Sequence, residues 1–220
     1  MSKELQKRIL SSMVIIPIAL FFIIKGSIFF IFFLFTVFLA TSYEWINMCK
    51  KNSLIKLIGV AFLIMSFYLG YLLRMQEGVY IFIFVILISV LTDIGGYVFG
   101  KFLKGPKLGK ISPNKTYSGV IGGFIISLIG GLIYYEYTPI TFMFNFVLGI
   151  GKYIGFDLYL LTIILLISSI SQMGDLFISY FKRLAKIKDT GKIIPGHGGL
   201  LDRVDGIIFA IPFSYIILNL

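Results

Sequence analysis

GVYIFIFVILISVLTDIGGYVFG, residues 78–100, contains a single charged side chain, Asp93, in 23 positions. A helix of about 20 apolar residues can cross the hydrocarbon core of a membrane, because each residue adds about 1.5 Å of length. Six further apolar runs surround this one, so the sequence predicts seven transmembrane helices. The predicted spans are residues 9–24, 28–46, 54–73, 78–100, 117–135, 158–181 and 204–220.

The composition agrees with a membrane protein. Hydrophobic residues make up 58% of the 220 residues, whereas soluble domains are about 45–50% apolar. No internal repeat is visible, and no proline-rich or serine-rich linker divides the chain. The first run is expected to be a retained span, because no small-residue cleavage site follows it. We therefore predict an all-α, polytopic helical bundle with one membrane domain over residues 1–220.

The charge balance indicates anionic partners. Lysine and arginine total 20 against 10 aspartates and glutamates, which gives a formal net charge of +10. These basic residues lie in short loops between apolar spans and not on one soluble face, so lipid headgroups and nucleotides are favoured over nucleic acid. One cysteine, Cys49, excludes an internal disulfide framework and a cysteine-rich metal site. We assign Cys49 no role.

Basic residues also predict the orientation, because they concentrate in cytoplasmic loops. They cluster before the first span and after the second and fourth spans, at Lys3, Lys7 and Arg8; Lys50, Lys51 and Lys56; and Lys101, Lys104, Lys107, Lys110 and Lys115. Residues 138–154 are apolar too, but a crossing there would place the basic residues 182–192 outside. We expect this segment to be non-spanning or re-entrant. The amino terminus and 17 of the 20 basic residues are then cytoplasmic, and in a bacterium the protein lies in the inner membrane.

Asp93 and Asp175 are carboxylates inside apolar spans, where an ionisable group is costly and is therefore a functional candidate. Ser171 and Ser179 lie four residues before and after Asp175, so the three side chains share one helix face. Serines on such a face either stabilise helix packing by hydrogen bonds or contribute to a site. For Asp175 a site is favoured, because a carboxylate in lipid needs a cation or a base.

Asp202 and Asp205 lie three residues apart at the start of the last predicted span. One interpretation is a helix cap, since aspartate oxygens accept the free backbone N–H groups of a first turn. The other is a cation site, because magnesium takes one or two carboxylates together with phosphate oxygens and waters. We expect Asp175 and Asp202 to bind magnesium, with Asp205 and Asp93 as orienting or second-cation carboxylates.

The segment Pro195-Gly-His-Gly-Gly199 predicts a phosphate-binding turn. Gly198 and Gly199 let backbone N–H groups approach a phosphate, because no Cβ obstructs them. His197 is the only histidine in the chain. A lone loop histidine is more often structural, but this position also suits contact with a phosphate or proton donation near neutral pH.

A second basic segment, residues 101–123, contains Ser112, Lys115 and Thr116 just before a predicted span. A basic loop beside a span is what orientation alone predicts for any membrane protein. Hydroxyl groups and a lysine ahead of a helix also suit an anion such as a nucleotide phosphate. The residues alone leave both interpretations open.

The motif from residue 179 to residue 205 resembles the signature of the phosphatidate cytidylyltransferases, also called CDP-diacylglycerol synthases. The matching positions are Ser179, Lys182-Arg183, Lys188-Asp189 and Pro195-Gly-His-Gly-Gly-Leu-Leu-Asp-Arg-Val-Asp205. The resemblance extends to Tyr43-Glu44, Thr92-Asp93, Gly100-Lys101, Ser112-Pro113, Lys115-Thr116, Ser171-Gln172 and Gly174-Asp175. Asn114 and Ser118 depart from it, because the family usually has lysine and glutamate there.

This resemblance implies transfer of a cytidylyl group from CTP to phosphatidate by a homodimer, with a magnesium requirement. A second cation beside magnesium is left open. Lys182, Arg183, Lys188 and Arg203 would neutralise charge on pyrophosphate and lipid, and Asp189 would orient a basic neighbour. His197 completes the expected catalytic set. The expected substrate-binding residues are Ser112, Lys115, Thr116, Ser179, Gly198 and Gly199.

Two other functions are compatible with parts of the pattern. A CTP-dependent lipid kinase would need a base to accept the proton of an alcohol, and His197 could serve. A transporter would use Asp93 and Asp175 as an ion pathway. The long signature disfavours the kinase, and the absence of paired repeats disfavours the transporter.

Overall fold

A computed structural model describes residues 3–50, 52–109, 112, 115–138, 156–194, 196 and 198–219. Within these ranges the secondary structure is helical, with two isolated β-bridges, Lys107 with Thr116 and Ile194 with Gly198, and no strand. The helices are α1 Lys3–Lys25, α2 Ser27–Met48, α3 Ser53–Gln76, α4 Gly78–Leu103, α5 Tyr117–Tyr137, α6 Phe156–Leu184, α7 Leu201–Val204 and α8 Ile207–Leu218. The predicted all-α class is confirmed.

The predicted spans coincide with helices, but the count of seven spans is not confirmed. In the described part of the chain, five helical segments are long and apolar enough to cross a membrane: Ser27–Met48, Ser53–Gln76, Gly78–Leu103, Tyr117–Tyr137 and Leu158–Leu184. Leu10–Lys25 and Ile207–Leu218 are shorter apolar helices. The last predicted span is interrupted between α7 and α8, and the 12 residues of α8 extend only about 18 Å. The predicted re-entrant segment, residues 138–154, lies outside the described residues after Thr138.

The chain divides into two compact units, each built from two stretches of sequence. The first unit comprises Met1–Tyr71 and Phe181–Val204, and the second comprises Leu72–Tyr180 and Asp205–Leu220. The boundaries fall within α3 and α6, so both helices contribute to both units. The single domain over residues 1–220 stays a prediction.

In the first unit, Trp45 fixes the end of α2. Its ring meets Phe181 edge-on with centroids 5.0 Å apart, and its indole N–H donates to the carbonyl of Ile55 at 3.3 Å. A Cβ at Gly59 would overlap the indole, so glycine at this position lets α3 approach. The preceding residue of α2, Glu44, is thereby held in place.

In the second unit, α4 and α5 pack closely through glycines. A Cβ at Gly95 would collide with the backbone of Gly122, and one at Gly119 would lie 2.8 Å from the carbonyl oxygen of Gly96. Small residues allow such approach between membrane helices, where dispersion and hydrogen bonds drive association. The hydroxyl of Thr92 on α4 also bonds that of Ser168 on α6 at 2.8 Å. These contacts support the loop between α4 and α5.

Candidate active site

The segment between α6 and α7 forms a compact turn. The N–H of Ile194 donates to the carbonyl of Gly198 at 3.0 Å, and Gly196 and Gly198 have φ values of 79° and 87°. Glycine adopts this left-handed region without the steric penalty that a Cβ imposes. A glycine-dependent turn is therefore present where the sequence predicts one. Pro195 and His197 lie outside the described residues, so the proposed role of His197 stays a prediction.

The carboxylate of Asp202 accepts hydrogen bonds from several groups of the first unit. Its Oδ1 accepts a hydrogen bond from Lys182 Nζ at 2.8 Å, and its Oδ2 accepts from the backbone N–H groups of Thr190 at 2.8 Å and Gly199 at 3.2 Å. The side chains of Asp202 and Lys182 are only 7% and 14% exposed. Both carboxylate oxygens are thus engaged by protein donors, and magnesium binding by Asp202 stays a prediction.

Glu44 is a second buried carboxylate in the same unit, with 1% of its surface exposed. It accepts hydrogen bonds from Thr190 Oγ1 at 3.1 Å and from the backbone N–H groups of Leu200 at 3.0 Å and Leu201 at 2.7 Å. Glu44 belongs to the residues that carry the family resemblance, but the sequence predicts no role for it. The available signal was an acidic residue inside an apolar helix, where a charge is costly. We call Glu44, Lys182, Thr190, Gly199 and Asp202 the loop cluster.

Packing around Glu44 requires glycine at two positions, the half-buried Gly191 and the buried Gly199. A Cβ at Gly191 would overlap Glu44 Oε1, and a Cβ at Gly199 would overlap Thr190 Oγ1 and lie 2.7 Å from Glu44 Oε2. Gly199 gives its N–H to Asp202, and its role in binding a phosphate stays a prediction. Gly198 is half-buried, and a Cβ there would lie 3.3 Å from that of Asp189.

The remaining predicted catalytic residues of this unit lie at the surface. Arg183, Lys188, Asp189 and Arg203 are exposed. Arg183 belongs to the last turn of α6 and Arg203 to α7. Basic side chains at the surface can bind phosphate oxygens that approach from water. Lys182 is less exposed and is paired with Asp202.

A different group of residues surrounds Asp175 in the second unit. Asp175 Oδ2 forms an ion pair with Lys115, and Asp175 Oδ1 accepts a hydrogen bond from Ser179 Oγ at 3.2 Å. The side chains of Lys115 and Asp175 are 28% and 23% exposed. We call Lys115, Asp175 and Ser179 the helix cluster.

The loop between α4 and α5 presents Lys115 to Asp175. Backbone hydrogen bonds fold the loop back on itself, from Leu108 to Lys115 at 2.9 Å and from Lys115 to Ser112 at 3.0 Å. Thr116, predicted to bind substrate, is buried, and its hydroxyl accepts the N–H of Gly119 at 3.1 Å. Thr116 is therefore the N-cap of α5, a structural role. Ser112 is half-buried in the same loop.

The other polar residues predicted in or near the site are distributed along the second unit. Asp205 is 6% exposed, and its Oδ1 accepts the N–H of Gly206 at 2.9 Å just before α8. Asp93 lies on an exposed face of α4. Ser171 is buried against Gly206, where a Cβ would overlap its Oγ, but that Oγ has no hydrogen-bond partner among the described residues. The roles of Asp205 and Asp93 as carboxylates of a cation site stay predictions.

The described residues contain no group of three or more His, Cys, Asp or Glu side chains that could hold a metal ion. Asp175 nevertheless fits a magnesium ion, because it is a partly exposed carboxylate with few described donors. Magnesium needs few protein carboxylates when substrate phosphates and waters supply the other ligands. The donor set suits a metal that arrives with a phosphate ligand.

The long apolar helices are those of an integral membrane protein, and buried or partly buried aspartate–lysine pairs lie in both of its units. A family model described as the cytidylyltransferase family matches residues 50–220. The chain belongs to the cytidylyltransferase family.

Several curated proteins named phosphatidate cytidylyltransferase are similar to this chain. That of Staphylococcus saprophyticus is 39% identical over 163 residues, which cover 74% of this chain and 57% of that protein. That of Staphylococcus aureus strain COL has the same identity and coverage. That of Rickettsia bellii is 35% identical over 227 residues, covering 99% of this chain and 94% of the relative. The chain thus spans 57% of the length of the staphylococcal relatives and nearly all of the rickettsial one.

Proposed function

We propose that this protein transfers a cytidylyl group from CTP to phosphatidate, giving CDP-diacylglycerol and pyrophosphate in phospholipid biosynthesis. The observation that carries the proposal is the signature from residue 179 to residue 205, which folds around Asp202 and Glu44 and leaves three basic side chains exposed. Family membership and the names of the relatives support the same activity.

In this reaction a phosphate oxygen of phosphatidate attacks the α-phosphorus of CTP. The bond between the α-phosphorus and the oxygen that bridges to the β-phosphorus breaks, and that oxygen leaves with pyrophosphate. The nucleophile is already an anion, so no strong general base is needed. The difficulty is the repulsion between two anions, and positioning with charge neutralisation is the main contribution a protein can make.

Basic side chains of the first unit have the chemistry for this task. Arg183, Lys188 and Arg203 are exposed and can bind phosphate oxygens of pyrophosphate and lipid. Lys182 is held by Asp202, so its ammonium group has a fixed position with little reorganisation. Asp189, beside Gly198, would orient a basic neighbour.

Asp175 is the residue we propose as the magnesium ligand, with Ser179 orienting its carboxylate. When bound, magnesium would neutralise charge on the phosphate oxygens of CTP. Lys115 is paired with Asp175 in the structure. If a cation bound Asp175, the ammonium group of Lys115 would become available to an anion. Magnesium binding by Asp202 is also a proposal, because its Oδ1 accepts one described hydrogen bond and an ionised carboxylate oxygen can accept more.

We also propose that the amino terminus and the loops carrying Lys115 and Lys188 are cytoplasmic, in the inner membrane of a bacterium, and that the protein is a homodimer. The distribution of basic residues supports this orientation. In a Cys49→Ser background, Lys188→Cys in intact cells should resist an impermeant thiol reagent that labels Lys25→Cys. Labelling of Lys188→Cys would reverse the orientation, and cross-linking in membranes tests the dimer.

The activity is tested with purified protein in detergent, phosphatidate, magnesium and CTP labelled at either the α- or the γ-phosphate. Label from the α-position should appear in a lipid product and disappear when magnesium is chelated. Label from the γ-position on an added lipid alcohol would indicate a kinase instead. Absence of transfer from both positions would contradict nucleotide chemistry and return the transporter to consideration.

A further inference from the structure

Glu44 is a buried carboxylate to which the proposed chemistry gives no task. It lies on α2 with 1% of its surface exposed, and its three described hydrogen-bond donors are neutral groups. Burying a charge is costly unless hydrogen bonds compensate. The three donors compensate the burial of Glu44 only while they keep their present positions around its carboxylate.

We propose that Glu44 is a positioning residue for cytidylyl transfer, which acts by fixing the loop that holds Asp202 against Lys182. This inference rests on the proposed function and deepens it. Glu44 touches neither Lys182 nor the exposed basic residues through any described hydrogen bond. Its effect must therefore pass through the loop.

The hydrogen bonds of the loop cluster show how this effect is transmitted. Thr190 gives its backbone N–H to Asp202 and its hydroxyl to Glu44. On the other side of the loop, Gly199 donates to Asp202, and the next two residues, Leu200 and Leu201, donate to Glu44. The two carboxylates therefore clamp the same two loop segments, and a displacement of one segment alters the partners of both.

Removal of the Glu44 charge would leave buried donors without an acceptor. Thr190 and Leu201 are 7% and 0% exposed, so water cannot easily replace the lost carboxylate oxygens. Glutamine has the same shape, but its NH₂ group presents hydrogens to one of these donors. The loop should then move away from α2, taking with it the backbone groups of Thr190 and Gly199 that share Asp202 with Lys182.

The first test compares Glu44→Gln with Glu77→Gln, a matched substitution of another buried glutamate. Glu77 lies between α3 and α4, is 7% exposed and belongs to the second unit. For equal amounts of folded protein, we expect Glu44→Gln to lower kcat about 100-fold, the loss that a small misplacement of a catalytic group produces. Glu77→Gln should retain kcat within about twofold, and Glu44→Asp should recover part of the loss.

A double-mutant cycle separates positioning from general destabilisation. If Glu44 acts through Lys182, Glu44→Gln should add less than about a twofold loss of kcat in a Lys182→Met background, because coupled sites are not additive. Full additivity, or an unchanged kcat in folded Glu44→Gln protein, would overturn the proposal.

Displacement of the loop can also be measured directly, without an activity assay. Hydrogen exchange of the amides at Thr190, Leu200 and Leu201 should accelerate in Glu44→Gln and stay unchanged in Glu77→Gln. If wild-type protein transfers no label, the proposed function fails, whereas unchanged exchange at these amides refutes the clamp itself. If wild-type protein transfers label and Glu44→Gln transfers it equally well, only the role of Glu44 is refuted.

Discussion

The loop cluster and the helix cluster each contain an aspartate paired with a lysine, yet the two pairs differ in burial and in donors. Asp202 and Lys182 are 7% and 14% exposed, and two backbone N–H groups also bind Asp202. Asp175 and Lys115 are 23% and 28% exposed, and Ser179 supplies one further donor. The same chemical pair is therefore buried in one unit and partly exposed in the other.

Energetics explain why this difference matters. Breaking a buried ion pair leaves an uncompensated charge and costs about 3–5 kcal/mol, whereas an exposed pair contributes only about 0–1 kcal/mol. A carboxylate with few protein donors can exchange its lysine partner for a metal at little cost to the fold. For a buried carboxylate with three donors the same exchange costs more, because its lysine partner is left uncompensated.

The largest effect on the free energy of unfolding is expected for Asp202→Asn. This change removes the charge that faces Lys182 and places an NH₂ group against backbone donors, so unfolding should become easier by about 3 kcal/mol. Denaturant titration or thermal unfolding in detergent would measure the loss. Activity should fall with it. Normal stability combined with a lost magnesium response would instead make Asp202 a metal ligand.

For Asp175→Asn we expect a small change in stability and a large loss of activity. Because the pair with Lys115 is partly exposed, stability should change by less than about 1 kcal/mol. Loss of the proposed magnesium ligand should lower transfer about 100-fold, a typical cost of losing charge stabilisation at one position. The magnesium concentration that gives half-maximal activity should rise. A large loss of stability with an unchanged magnesium response would show that Asp175 is framework as well.

Gly199→Ala tests how tightly the loop cluster is packed. The added methyl group would overlap Thr190 Oγ1 and approach Glu44 Oε2, so we expect destabilisation by about 2 kcal/mol and reduced transfer. Gly96→Ala in the second unit is the control, because its Cβ would lie 3.7 Å from the carbonyl oxygen of Gly119, an ordinary contact. Equal melting temperatures for the two variants would mean that the loop adapts freely.

The sequence predicts local features of both regions but not their long-range partners. Apolar runs locate the helices, and the four-residue spacing of Asp175 and Ser179 places both on one face of α6, where they form a hydrogen bond. Glu44 and Thr190 are 146 positions apart, so neither periodicity nor spacing could pair them. Thr116 was predicted to bind substrate because hydroxyl groups ahead of a helix suit an anion, and in the structure its hydroxyl caps α5.

The smallest expected effect is a pH-dependent change in melting temperature at Glu77. Glu77 is buried like Glu44 but has fewer described hydrogen-bond donors. Glu77 accepts one long hydrogen bond from Asn219 Nδ2 at 3.5 Å. Burial raises the pKa of Glu77, and the bond from Asn219 opposes that shift only in part.

A carboxyl group whose pKa is higher in the folded state favours folding when protonated, and that contribution is lost as pH rises through the folded pKa. Glu77→Gln mimics the protonated form. The variant should therefore melt slightly above wild type at about pH 8 and equal it at about pH 4, where both side chains are largely neutral. Melting curves over this range provide the measurement. A variant that is less stable at about pH 8 would show that Glu77 is needed as a charged hydrogen-bond acceptor.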